Sequence, residues 1–261
     1  MGQIHVYAIS DVGCRRRENQ DTFLINNMVE KSWLELILPT TGLYFSHHGL
    51  LCAVADGLGG HRGGATASQL VLQSLAAEVF NLGGLPNFEE ARSHLCKYIR
   101  HLHRTVLEES LRDHRLAGMG TTLTGVYLRP DFGLFFHAGD SRLYRFRGDF
   151  LLQITRDHSP QGLSLPLSEQ LSAGARSSLI TNCIGGGPDA RCRPDLEKMN
   201  LNKGEILLIC SDGLSDMLPV EVMEEILYRR EGLGAAACSL VDAAKEAGGD
   251  DNIALILIER T

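Results

Sequence analysis

The sequence predicts an α+β fold, in which antiparallel strands join through hairpins and helices group between them. Three observations carry that expectation. Six short apolar runs are bounded by polar turn residues. Hairpin-type turn chemistry separates or follows some of them. The stretches of helical period fall in blocks and do not alternate strand by strand.

The apolar runs are Leu50–Ala55 (LLCAVA), Leu123–Leu128 (LTGVYL), Gly133–Ala138 (GLFFHA), Arg142–Phe146 (RLYRF), Ile206–Cys210 (ILLIC) and Ile253–Ile258 (IALILI). Arg129-Pro130-Asp131 separates the second from the third, and Arg147-Gly148-Asp149 follows the fourth. Both are turn formers for a stated reason: Pro presets its backbone angle and Gly tolerates a positive one. Helical period runs over Ala65–Phe80, with Leu70, Val71, Leu75 and Val79 on one face. It returns over Phe88–His114, Glu221–Tyr228 and Ala235–Glu246, with Pro219 suited to a first helical turn. Residues 159–180, rich in Pro, Gly, Ser and Ala, read as a surface flap. No repeat, linker or low-complexity tract intervenes, so one domain over residues 1–261 is expected.

Composition narrows the function classes. With 25 Lys and Arg against 32 Asp and Glu, the net charge is −7, which argues against nucleic-acid or anionic-membrane partners. Arg15, Arg16 and Arg17 form the only tight basic run. The seven cysteines include no C-x-x-C pair, and Cys52 and Cys210 sit inside apolar runs. That pattern reads as a reduced, cytoplasmic protein. No signal peptide is visible, and no run of about 18 apolar residues could span a bilayer.

The informative feature is where the aspartates fall. Asp56, Asp140 and Asp212 each follow an apolar run closely, and Asp250-Asp251-Asn252 precedes the last one. Taken singly, an Asp-Gly at a strand end is an ordinary turn. Four together, at strand ends of one sheet layer opening at a common edge, would repel one another unless cations sat between them. Oxygen ligands of this kind select Mg²⁺ or Mn²⁺ over Zn²⁺. Gly57, lacking a Cβ, would let its carbonyl approach such an ion. The histidines offer no zinc spacing, and neither a G-x-x-x-x-G-K-[ST] loop nor a G-x-S-x-G elbow occurs.

The residues then carry a larger pattern. SDVGCRRRENQD (10–21), VADGLGGHRGGATAS (54–68), GMGTTLTGVYL (118–128), HAGDSRLYRFRGDFLLQITRDHS (137–159), ICSDGLSDML (209–218) and GGDDNIALILI (248–258) span nearly the whole chain. In order and spacing the sequence resembles the metal-dependent serine/threonine protein phosphatases of type 2C, in their compact bacterial form. The resemblance implies a four-layer αββα sandwich of two antiparallel sheets flanked by helices. It implies two divalent ions, Mn²⁺ or Mg²⁺, on Asp56, Asp212 and Asp251. Asp56 would bridge them, and the Gly57 carbonyl would complete one shell. Asp140 matches the position that helps hold a third, weaker metal in some bacterial members. Arg16 matches the arginine that clamps the substrate phosphate, for which its planar fork is suited. The implied reaction is hydrolysis of phosphoserine and phosphothreonine in proteins by a water that the two ions activate.

Some positions depart from the family pattern. Gln20-Asp21 stands where many members carry Glu-Asp, and Asp21 reads as an outer support to the metal ligands. Leu58 replaces a histidine that some relatives use as proton donor, which leaves His61 as a candidate. Residues 26–49 look long and the flap looks short. The partners implied are phosphorylated proteins, a cognate Ser/Thr protein kinase among them, and the protein itself is expected to be a monomer. The alternative is an inactive relative serving as a regulatory binding module, which the loss of Asp56, Asp212 or Asp251 would have favoured.

Overall fold

A computed structural model describes residues 2–58, 62–159, 180–187 and 190–261. Two six-stranded antiparallel sheets face one another. The first runs, in spatial order, β11 (Phe150–Gln153), β10 (Arg142–Arg147), β14 (Ile206–Cys210), β15 (Ile253–Arg260), β1 (Gln3–Asp11) and β4 (Trp33–Pro39). The second runs β13 (Asp195–Met199), β9 (Gly133–Ala138), β8 (Leu123–Leu128), β5 (Leu50–Ala55), β2 (Thr22–Ile25) and β3 (Met28–Glu30). A small third sheet joins β6 (Gly57–Leu58), β7 (Gly120–Thr121) and β12 (Ile184–Gly185) beside the second.

The layers follow from where each strand puts its apolar side chains. Val6, Phe23, Val54, Ile209 and Ile256 meet between the sheets. On the outer face of the second sheet, Leu24, Leu51 and Phe136 pack against α2 (Arg62–Ala77) and α4 (Phe88–Arg112) through Val71, Leu75, Leu95 and Ile99. On the outer face of the first, Leu208 and Leu257 pack against α6 (Val220–Tyr228) and α7 (Leu233–Glu246) through Met223, Leu227 and Leu240. This is the expected αββα sandwich. It also explains the sequence signal: every residue of β5, β8, β9 and β14 is buried, because each strand is covered on both faces.

The N-terminal quarter is where expectation and structure differ. β1 alternates, with Ile4, Val6 and Ala8 inward and His5 and Tyr7 half-buried outward, so it lacks a continuous apolar run. Residues 26–49 resolve into the β2–β3 turn, the edge strands β3 and β4, and the short helix α1 (Leu43–His48). The helix expected over Ala65–Phe80 divides into α2 and α3 (Val79–Gly83). At the break the Glu78 N–H bonds Leu75 O at 3.0 Å, a three-residue closure that tightens and ends the first helix. Of the proposed flap only Ser159 and Ile180 lie among the described residues, and His61 lies outside them as well.

Candidate active site

At one end of the sandwich β5, β9 and β14 finish and β15 begins. Asp56 follows β5 and Asp140 closely follows β9, both from the second sheet. Asp212, the first residue of α5 (Asp212–Ser215), follows β14, and Asp251 precedes β15, both from the first sheet. The expectation of a single layer is therefore corrected. Ends of one sheet would string carboxylates along an edge, whereas two facing sheets bring them together across a cleft.

The electrostatics show how tightly they are gathered. Burial, then the charges of Asp21, Asp212 and Asp140, push the Asp56 carboxyl well above the ordinary carboxylate range. Burial first, then neighbouring carboxylates, raises Asp21 and Asp140 to about 7 and Asp212 to about 6. Asp21, behind the cleft, is 1% exposed. Among the described residues, Asp21 Oδ2, Asp140 Oδ1 and Asp212 Oδ1 are buried oxygens with no donor. Unmet buried acceptors beside like charges are costly, and a hard cation satisfies both deficits. Among the described residues no three His, Cys, Asp or Glu side chains form a ready-made cage. Mg²⁺ and Mn²⁺ fit this set nonetheless, since such ions complete their shells with water and backbone carbonyls.

Asp56 is fixed through its backbone. Its N–H donates to Thr122 Oγ1 at 3.0 Å, and its carbonyl accepts the Thr122 N–H at 2.9 Å and the Thr121 hydroxyl at 2.7 Å. Ser141 Oγ meets Thr122 Oγ1 at 2.7 Å, tying in the turn that bears Asp140. Gly57 pairs with Thr121 between β6 and β7. A Cβ on Gly57 would lie 2.4 Å from the Gly64 carbonyl. Its lack of a side chain is thus demanded by the close passage of α2, a reason different from the ion approach expected of it.

Arg16 arrives on a loop stitched to the one bearing Asp251. Gly13 has φ +74°, and a Cβ there would lie 2.1 Å from Asp251 O, so only glycine fits. The Cys14 and Arg15 N–H groups donate to Gly249 O at 2.8 and 3.3 Å. Asn252 accepts the Gln20 N–H at 2.8 Å and donates to Val12 O at 2.9 Å. Arg16 Nη2 then reaches Asp251 Oδ2 at 2.6 Å. Hydrogen bonding to Asp251, with the charges of Asp251, Asp212 and Asp56, raises the Arg16 pKa. Its side chain is 56% exposed, so it can turn outward to an incoming anion.

The family model for protein phosphatase 2C matches residues 41–243 of this chain. The chain belongs to the protein phosphatase 2C family. The serine/threonine phosphatase stp of Listeria innocua is 32% identical over 211 residues, covering 79% of this chain and 83% of that protein. The structure of the Streptococcus agalactiae serine/threonine phosphatase superposes with a TM-score of 0.83 at 27% identity, covering 98% of this chain and 99% of the other. The catalytic domain of the serine/threonine phosphatase PstP, solved in complex with two manganese ions, superposes with a TM-score of 0.76. It is 28% identical over the full length of both chains. The protein is a metal-dependent serine/threonine phosphatase that acts on phosphoproteins with divalent Mn or Mg.

Sequence reasoning singled out the aspartates that this cleft gathers and missed what holds them. Asn252 was assigned no role in the cleft. Neither was Ser211, which accepts the Ala254 N–H at 2.9 Å and hydrogen-bonds Asp21. Each is an ordinary polar residue next to an Asp or a strand end. Their partners are up to 240 positions away, as for Asn252 with Val12, so no local signal could reveal them. Among the described residues no helix is long and apolar enough to cross a membrane.

Proposed function

We propose that this cleft is the phosphatase centre and that its residues divide the work as follows. Asp56, Asp212, Asp251 and the Gly57 carbonyl hold two divalent ions, and Asp140 helps to hold a third, weaker one. Asp21 supports them from behind through its place beside Ser211 and Asp56. When bound, the ions supply Lewis-acid charge and lower the pKa of water.

The chain's own side chains do the rest. Arg16 leaves Asp251 and pairs two oxygens of the substrate phosphate, which fixes the phosphorus for in-line attack. The cleft carboxylates repel any anion that arrives without cation neutralisation. A single domain acting as a cytoplasmic monomer on phosphoproteins, among them a cognate Ser/Thr kinase, is the setting this reading supports.

The observation that carries it is the set of buried carboxylate oxygens without donors, contributed by both sheets. The test is hydrolysis of a phosphothreonine peptide with Mn²⁺ and with EDTA, for wild type and Asp212→Ala. Turnover should require Mn²⁺ and fall in the variant by more than the roughly 100-fold that loss of an outer ligand support costs. Folded wild type that binds Mn²⁺ by calorimetry and does not turn over would refute it.

A further inference from the structure

The turn that carries Asp140 is held from outside the cleft by one side chain. His158 lies on the segment after β11. Its backbone N–H donates to Gly139 O at 2.7 Å, and its ring Nδ1 accepts the Gly139 N–H at 3.1 Å. Gly139 has φ +125°, and a Cβ there would meet the Thr122 side chain at 2.6 Å. The peptide before Asp140 therefore has little room to adjust.

The far side of the ring is engaged as well. His158 Nε2 lies 3.1 Å from Asp195 Oδ2 on β13. The ring stacks on His137 with centroids 4.6 Å apart and planes 19° apart. His137 is itself fixed by Thr124 Oγ1 at 2.8 Å and Arg156 O at 3.0 Å. The His158 carbonyl accepts the Thr181 N–H and hydroxyl at 2.7 and 2.9 Å. One residue thus joins the Asp140 turn, β13 and the chain returning at residues 180–182.

These contacts select a tautomer. A backbone N–H can only donate, and so can the Asn182 amide nitrogen, 3.2 Å from Nδ1 and a longer 3.4 Å from Nε2, so Nδ1 must present its lone pair, and the ring proton sits on Nε2, where the Asp195 carboxylate accepts it at 3.1 Å. We infer that His158 is a positioning residue: held by Asp195 as the Nε2–H tautomer, it sets the Gly139–Asp140 peptide and thereby aims the Asp140 carboxylate into the cleft. The inference rests on reading that cleft as a divalent-cation site.

Two amide variants separate the ring's two roles. In His158→Asn the side-chain oxygen stands near the former Nδ1 and still accepts from Gly139. In His158→Gln the amide reaches toward Asp195, and no acceptor remains for Gly139. Calorimetric Mn²⁺ titration should show the weakest binding step about tenfold weaker in His158→Gln and close to wild type in His158→Asn. A nitrogen-15 NMR spectrum of the metal-free full chain should show His158 Nδ1 unprotonated. Asp195→Asn, at a site half exposed and safe for folding, should weaken the same Mn²⁺ step in the same direction.

Equal Mn²⁺ binding by the two His158 variants, or a protonated Nδ1 in wild type, overturns the inference. Wild type that binds no Mn²⁺ overturns the cleft reading instead, a result that calorimetry on wild type alone identifies.

Discussion

Strand β14 ends in two carboxylates that were buried in opposite ways. At its start Glu205 is 3% exposed, and burial alone would push its carboxyl up. Hydrogen bonds from Asn202, with Arg145 and Arg147 nearby, outweigh that and hold it below the usual range. The Asn202 N–H reaches Oε2 at 2.9 Å, and its amide reaches Oε1 at 3.0 Å. Five residues beyond the strand's first lies Ser211 and then Asp212, whose neighbours are carboxylates and whose Oδ1 has no donor among the described residues. The first end is finished as a structural joint. The second is left electrically incomplete, the state expected of a carboxylate at the proposed cation site.

Substitutions at the two ends should therefore have opposite signs. The largest stability effect is expected from Glu205→Ala, which strands the Asn202 donors and costs about 2–3 kcal/mol by urea denaturation. Asp212→Asn should do the reverse in metal-free protein, raising the melting temperature at pH 7.5 because a repelling charge is gone. The same variant should lose most of the stabilisation that Mn²⁺ gives wild type. If Asp212→Asn melted lower than wild type in EDTA, the two ends would be alike and the comparison would fail.

The pH dependence sharpens the contrast. Asp212, Asp21 and Asp140 have folded pKa values raised to about 6, 7 and 7 from ordinary carboxylate values. The folded state thus binds protons that the unfolded state releases. The stability this confers is fully present below pH 4 or so and is lost as pH rises through 6 to 7. Metal-free protein should melt progressively lower between pH 5 and pH 8, and saturating Mn²⁺ should flatten the trend. Asp21→Asn should also reduce the slope, whereas Glu205→Gln should leave it in place.

The smallest effect on stability is expected at Arg16. Its exposed pair with Asp251 contributes no more than about 1 kcal/mol. Arg16→Lys should leave the melting temperature nearly unchanged yet raise KM for a phosphothreonine peptide by about tenfold, since an ammonium cannot pair two phosphate oxygens. A change in stability larger than the change in KM would make Arg16 part of the structural end.

The strand ends were legible because Asp56 and Asp212 follow unbroken apolar runs, and a strand covered on both faces writes itself plainly. Which sheet each strand joins was not legible, since periodicity carries no pairing information. Hence the single-layer expectation for the four aspartates. β1 and β4 were missed because their outward residues are only half-buried or exposed, so His5, Tyr7, Glu35 and Trp33 interrupt the apolar pattern. That Gly57 must be glycine also because of Gly64 was not legible, since that contact seven residues along is created only by the folded turn.

The small sheet β6-β7-β12 has a practical meaning for protein engineering. Just after Ile180 the chain is sewn through Ile184 and Gly185 to Thr121 and Gly120, and from there to Gly57. At its departure, His158 anchors it to Gly139. Both ends of the intervening stretch are thus clamped to the backbone that carries Asp56 and Asp140. Doubling the length of a connection between clamped ends costs only about 0.6 kcal/mol. Changes of length between these two clamps should therefore leave the backbone that carries Asp56 and Asp140 in place.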